Sequence, residues 1–298
     1  MSATLTIFTP AYNRAYTLPR TYKSLCRQSC HDFEWLIIDD GSTDNTKALV
    51  KQWQQENKIP IRYIYQENQG MHGAHNTAYR NISTELNTCI DSDDWMPDDA
   101  VEKIIQFWKE KGSNKYAGII GLDTYESGVI IGCSFPDNLI ATTLRDYYEL
   151  YGGRGDKKIV YRTDVITKYP EYPIFQGERY VGLAYKYHLV DEDYKLLTLN
   201  QPLVIVDYQE DGSSRSMWKQ YWNNPKGFAF YKKQDIQQTK SLKNKIKNNI
   251  QYVAHSIRSK NCHFISESPT KWFTIISIIP GLCLYLLNWY MVITERKM

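Results

Sequence analysis

Asp91-Ser92-Asp93-Asp94 places three carboxylates in four residues, directly after the apolar run 86–90. A strand ending in Asp-x-Asp carries two acidic side chains on one side of the backbone, because side chains alternate along a strand. Such a pair repels itself and is best tolerated around a hard cation. Mg2+ and Mn2+ take carboxylate together with phosphate oxygens. The pattern therefore points to a metal and diphosphate site. The alternative is an Asp-rich turn capping the next helix, since Asp98 and Asp99 precede a helical pattern.

The elements that must hold these acids alternate between strand and helix. Strands are predicted over 5–8, 33–38, 61–65 and 86–90. Helices are predicted from about Thr17, with Leu18, Tyr22, Leu25 and Cys26 on one face, then after Ser42 or Asp44, over 73–80 and over 101–111. This alternation predicts a mixed, mostly parallel α/β sheet flanked by helices. In such sheets ligands bind at the carboxyl ends of strands. The polar clusters lie there: 10–13, 39–40, 67–70 and 91–94. Four strand ends converging on one crevice carry more weight than any one of them.

Composition narrows the class. The chain has 298 residues and a formal charge of +3, which argues against a dedicated nucleic-acid binder. Aromatic residues make up 14 %, with 24 Tyr, which suits cores, sugar-stacking clefts and membrane interfaces alike. The six cysteines form no Cys-x-x-Cys pair, and Cys26 and Cys30 read as packed thiols. The N-terminus runs straight into a strand, so no secretory leader is expected and a reducing compartment fits.

Beyond 116 the pattern loosens, with strands expected over 119–122, 129–133 and 203–206 and a helix over 144–151. Three regions follow: a nucleotide-binding half over 1–100, an acceptor-binding half of the same domain over 101–216, and a helical extension over 217–298. That extension opens on a basic stretch, Lys232, Lys233, Lys240, Lys243, Lys245 and Lys247. It ends in 272–294, which carries no charged residue. The apolar run is long enough to span a bilayer, although Pro280-Gly281 equally suits a kinked, re-entrant or interfacial segment. A membrane-associating tail at the cytoplasmic face is the expectation, and a buried C-terminal helix the alternative.

Thr9-Pro10-Ala11-Tyr12-Asn13-Arg14, then Asp39-Asp40-Gly41-Ser42-Thr43-Asp44, then Asp91-Ser92-Asp93-Asp94 together resemble the family 2 glycosyltransferases in order and spacing. The resemblance covers residues 4–215. It implies a glycosyltransferase A-type fold and inverting sugar transfer from a nucleotide donor, above all a uridine-diphosphate sugar, with Mg2+ or Mn2+. The segments 69–76, 177–181 and 208–212 look like a bacterial subgroup that builds cell-surface polysaccharide, so a glycan or lipid-linked acceptor is implied. Pro10, Tyr12, Asn13 and Arg14 fall at the base and ribose, and Asp40 at the uracil N3 proton, which a carboxylate can accept. Asn76 lies at the nucleotide or at a helix terminus. Asp93 falls at the metal, Asp91 at the ribose and metal waters, with Ser92 between them. Asp94 and Trp95 fall at the sugar. The general base of the family is the Asp of a Glu-Asp pair, and here that place reads Glu178-Arg179. Glu178 is then the candidate catalytic base, with Asp191, Glu192 and Asp193 as competitors. His72, His75 and Arg215 are further candidates at the phosphates. A nucleotidyltransferase making nucleotide sugars and a non-catalytic nucleotide-binding or glycan-binding relative are the other classes. The absence of a Gly-rich phosphate loop after strand one counts against the first.

Overall fold

The computed structural model describes residues 3–207 and 217–295. Strand and helix alternate through β1 (Leu5–Ala11), α1 (Leu18–Cys26), β2 (Phe33–Asp39), α2 (Thr46–Glu56), β3 (Ile61–Tyr65), α3 (Met71–Asn81), β4 (Leu86–Cys89) and α4 (Ala100–Lys111). There follow β5 (Tyr116–Thr124), β6 (Ala141–Thr142), α5 (Leu144–Glu149), β7 (Lys157–Arg162), α6 (Thr163–Ile166), α7 (Ala184–Asp193) and β8 (Lys195–Ile205). The described residues form two units. One comprises 3–68, 73–171 and 186–207, the other 69–72, 172–185 and 217–295.

The first unit is built on an eight-stranded sheet in the order β3-β2-β1-β4-β7-β5-β8-β6. β3, β2, β1 and β4 run parallel, β7 is antiparallel to both of its neighbours, and β5 pairs parallel with β8. All seven residues of β1 are buried, as expected of a central strand covered on both faces. The register pairs Ile7 with Trp35 and Phe8 with Leu36, so Trp35 and Phe8 face opposite sides. On the Trp35 side, Tyr22 of α1 and Trp53 of α2 stack with ring centroids 4.4 Å apart, and both stack on Trp35. On the other side His75 and Tyr79 of α3 meet the Phe8 ring edge-on. Each buried aliphatic or aromatic side chain in this core stabilises by about 1.5–3 kcal/mol.

Residues 129–133 do not form the expected strand. Tyr125 and Gly128 close a tight turn, Ile130 makes an isolated bridge to Thr124, and Gly132 adopts φ +80° with Arg154 O where a Cβ would lie. A left-handed glycine pressed against backbone ends the extended run despite its apolar residues. Likewise α1 stops at Cys26, so Cys30 lies outside the helix, although both half-buried thiols pack on the core.

The second unit holds α8 (Met217–Asn223), α9 (Pro225–Gln238), α10 (Leu242–Arg258), α11 (Phe264–Glu267), α12 (Lys271–Ile276) and α13 (Ile278–Glu295). Ile236 and Tyr252 pack at its centre, and Phe228 stacks between Tyr180 and His255. The charge-free stretch 272–294 is two helices, α12 and α13, parted at Ser277. Asn249 accepts from Thr274 Oγ1 at 2.7 Å and from Thr270 Oγ1, which ties α12 to α10. Pro280 falls in the first turn of α13, where a missing N–H costs nothing. A Cβ on Gly281 would meet Val253 Cγ1 at 2.5 Å, so α13 crosses α10 there at close range. Among the described residues no helix is long and apolar enough to cross a membrane.

Candidate active site

The carboxyl ends of β1 and β2 are laced together by short polar side chains. The Asp40 amide donates to Ala11 O at 2.8 Å. Asn13, in the left-handed region at φ +53°, receives the Thr43 amide at 2.8 Å on its side-chain oxygen. Its own amide donates to Ser42 Oγ. Asp44 accepts from Thr46 N, Thr46 Oγ1 and Ala15 N. Burial would raise its carboxyl, but these bonds hold it below its ordinary value. Asn13 and Asp44 are thus staples of the loop that presents Tyr12 and Arg14. Tyr12 is exposed, and Arg14 donates to Tyr16 Oη at 2.6 Å.

The two aspartates after β2 have separate tasks. Asp39 is fully buried and accepts from the Ser42 amide and the Tyr63 hydroxyl. Burial first, and Asp39 next, raise the Tyr63 phenol. Asp40, one residue on, receives Gln66 Nε2 at 2.7 Å. Gly41 takes φ +86°, and a Cβ there would meet Asn68 N at 2.9 Å, so glycine is required to bring 66–68 beside Asp40.

After β4 the acidic motif folds as a turn in which Asp94 N donates to Asp91 O at 3.0 Å. α1 clamps it from one side. Thr21 Oγ1 donates to Asp94 O, and Arg20 donates to Asp93 O at 2.6 Å and to the Asp207 carboxylate at 2.8 Å, with its guanidinium 4.0 Å over the Trp95 ring. β8 holds it from the other, since Trp95 and Ile205 exchange two backbone hydrogen bonds and Asp207 N donates to Asp94 Oδ1. Ser92 and Asp94 are buried, Asp91 and Asp93 half-buried. Burial first, and Asp91 next, raise the Asp93 carboxyl against the pull of Arg14 and Arg20. Asp94 is pushed up to about 8 by the same two causes. Among the described residues no group of three or more His, Cys, Asp or Glu could hold a metal ion. Asp91 lies near enough to raise the Asp93 carboxyl, and both residues are half-buried. The charge crowding on Asp93 is what a hard cation completed by phosphate oxygens would relieve.

The other expected residues are distributed as follows. Pro10 lies buried inside β1, and Asn76 and His75 are buried in α3, where His75 packs on Phe8. His72 is buried in the second unit. Asp191 accepts the amides of Leu144 and Arg145, and Asp193 accepts from Tyr169 Oη, so both serve local structure. Residues 208–212 and Arg215 lie outside the described residues. Glu178, 7 % exposed, accepts the Lys226 amide at 3.0 Å and the Gly227 amide at 2.8 Å, capping the first turn of α9. Arg179 N donates to Asn224, and Arg179 O fills the space where a Gly70 Cβ would sit. Arg20 and Asp207 were not among the expected site residues. A basic residue on the first helix has no spacing signature, because its partner is 187 residues away.

This carboxyl-end arrangement belongs to a known class. The family model "Glycosyl transferase family 2" matches residues 6–165, more than half of the chain. The chain is a family 2 glycosyltransferase. It is 28 % identical over 233 residues to "Glycosyltransferase GlyA" of Streptococcus pneumoniae, covering 73 % of this chain and 32 % of that protein. It is 31 % identical over 119 residues to "GalNAc(5)-diNAcBac-PP-undecaprenol beta-1,3-glucosyltransferase" of Campylobacter jejuni, covering 39 % of this chain and 37 % of that one. The chain thus spans about a third of the length of these relatives. Among solved structures, S. aureus TarS 1-349 in complex with UDP-GlcNAc superposes with TM-score 0.62 at 17 % identity, covering 95 % of this chain and 81 % of that one. A mannosyltransferase from Pyrobaculum calidifontis in complex with GDP-Man and Mn2+ gives 0.57 at 13 % identity, covering 100 % and 80 %. At these identities the likeness establishes the fold.

Proposed function

We propose that this glycosyltransferase moves a sugar with inversion from a uridine-diphosphate donor onto a glycan or lipid-linked acceptor in polysaccharide biosynthesis. The observation that carries the donor reading is the gathering of Asp40 and the Asp91-Ser92-Asp93 turn at the carboxyl ends of β2 and β4, the parallel strands on either side of β1. Relatives named for teichuronic acid and undecaprenol-linked glycan synthesis support the acceptor class. Neighbours holding UDP-GlcNAc or GDP-Man support a nucleotide-sugar donor.

In this reading Pro10 and Tyr12 flank the base, Asp40 accepts the uracil N3 proton, and Asn13 and Ser42 fix the loop between them. Asn76 supports the nucleotide side from α3. Arg14 adds positive charge near the diphosphate. Asp93 and Asp91 would hold Mg2+ or Mn2+, with Ser92 setting their spacing. When bound, that ion supplies Lewis-acid stabilisation of the diphosphate leaving group. Glu178 takes the proton of the acceptor hydroxyl. Two amides fix its orientation, and a carboxylate has lone-pair sites beyond two such bonds.

The tail docks the enzyme on a membrane surface. Its apolar side chains project outward, with Trp272 81 % and Ile279 76 % exposed, and Lys240, Lys243 and Lys247 are exposed on the same unit. Exposed aromatic and aliphatic side chains with nearby lysines suit an anionic interface. The donor reading is tested by melting the protein with a panel of nucleotide sugars, with and without Mn2+. A metal-dependent rise with uridine-diphosphate sugars is expected, since ligands of the folded state raise the midpoint. No shift with any nucleotide sugar would remove it.

A further inference from the structure

A half-buried lysine, Lys158, sits beside the acidic turn. β4 and β7 pair Leu86 with Arg162 and Thr88 with Val160, so continuing the register puts Lys158 opposite Ile90, the residue before Asp91. On its other side Lys158 pairs with Gly121 of β5, which places Asp123, two residues on, on the same face. The Lys158 ammonium donates to Cys89 O at 3.0 Å. It also lines a cavity of about 80 Å³ shared with Cys89, Tyr161 and Tyr187. Tyr161 Oη, on the lining of that cavity, and Asp123 Oδ1, with Asp123 3 % exposed, are each buried without a hydrogen-bond partner among the described residues. A polar cavity of this size is ample for a small water cluster. A buried carboxylate is costly unless a cation on the same face compensates it, and half-buried Lys158 is placed to do so.

We propose that Lys158 is a built-in counter-cation of the donor site, a positioning residue that shares the charge of Asp91 and Asp123 with the divalent ion. The electrostatics agree. Burial alone would lower the Lys158 ammonium, yet Asp123 first, then Asp91, Cys89 and Asp94, hold it above its ordinary range. Asp123 in turn is pushed up to about 6 by burial while Lys158 pulls it down. The fixed charge lets a crowded acidic turn stay folded before any donor arrives, and it weakens the site's grip on a lone cation while favouring the anionic diphosphate. The inference rests on the donor-site reading above.

The sign of the effect makes it testable. Strands lie about 4.8 Å apart, and at an effective dielectric near 20 a unit charge roughly two strand spacings away changes the affinity of a divalent ion or a diphosphate by at least ~10-fold. Calorimetric titration with Mn2+ alone and with uridine diphosphate in chelator reads it. Lys158→Met is expected to bind Mn2+ at least ~10-fold more tightly and uridine diphosphate at least ~10-fold more weakly. Lys158→Arg should stay close to the parent, Asp123→Asn should shift both affinities the opposite way, and the double variant should return them. Affinities of a folded Lys158→Met within about twofold of the parent overturn the proposal. Should Lys158→Met fail to fold, unchanged affinities in Asp123→Asn overturn it equally. Should the parent bind neither probe, the donor reading itself falls. Charge sharing is then read from melting midpoints: a loss in Lys158→Met rescued by Asp123→Asn upholds it, and additive losses overturn it.

Discussion

Replacing Glu178 with Gln separates two jobs that one carboxylate holds. Its oxygens receive the Lys226 and Gly227 amides at 3.0 and 2.8 Å, and Gly227 is buried. Ala at 178 strands a buried amide at about 1–3 kcal/mol and removes a negative charge from a helix N-terminus at up to ~1 kcal/mol. The sum is about 3 kcal/mol, or roughly 6–12 °C of melting midpoint for a protein of this size. Gln keeps one carbonyl acceptor and loses the charge, so about 1 kcal/mol and 2–4 °C are expected. Turnover distinguishes the roles. Loss of a general base lowers rate about 10²–10⁴-fold, whereas a lost cap leaves the folded enzyme's rate almost intact. Release of uridine diphosphate from its sugar conjugates, measured beside melting curves, should show Glu178→Gln nearly as stable as the parent yet at least ~100-fold slower. Turnover within a few-fold of the parent would refute the base role and leave Glu178 as the cap of α9.

Three further outcomes follow from the geometry. Arg20 bonds Asp93 O and the half-exposed Asp207 carboxylate while stacking on Trp95. Arg20→Lys should therefore raise the donor KM without recovering it through charge alone, because an ammonium cannot fork and stack; an unchanged KM would contradict this. Burial first, with Lys232 adding to it, lowers the buried His255 to about 3 from an ordinary 6.5. Its neutral form therefore contributes stability that is fully present above pH 6.5 and lost by up to about 1.4 kcal/mol per pH unit as pH falls toward 3. His255→Phe should flatten that acid limb in melting midpoints, and an unaltered limb would exclude His255. Serine at exposed Trp272, Ile279 and Tyr290 should weaken sedimentation with anionic lipid vesicles at least ~10-fold without lowering the midpoint. Equal partitioning would end the membrane proposal.

The alternating strand–helix half of the fold, 3–111, was largely legible in the sequence, because its signals are local. Apolar runs ending in Pro10, Asp39-Asp40 and Asp91-Ser92-Asp93 mark strand ends whatever they pair with. Division of labour within the motifs was not legible. Asp39 turns inward to Tyr63 while Asp40 meets Gln66, a difference set by one step of strand alternation and by side chains from β3 and the loop after it. Arg20, Asp123 and Lys158 gain meaning only from pairing between strands distant in sequence. Glu178 read as a base because its neighbours resembled a motif, and its contacts to α9 lie 48 and 49 residues downstream. Residues 272–294 read as one apolar run because hydropathy does not register the Asn249–Thr274 tie beside which the run breaks at Ser277.

The central claim is that the turn after β4 is the diphosphate end of a donor site. Titrating uridine diphosphate into the parent and into Asp93→Ala, each with and without Mn2+, tests it most directly. Mn2+ should tighten binding to the parent at least ~10-fold and leave Asp93→Ala unaffected, with turnover lost in the variant. Equal Mn2+ enhancement in both proteins, with undiminished turnover in Asp93→Ala, would contradict it.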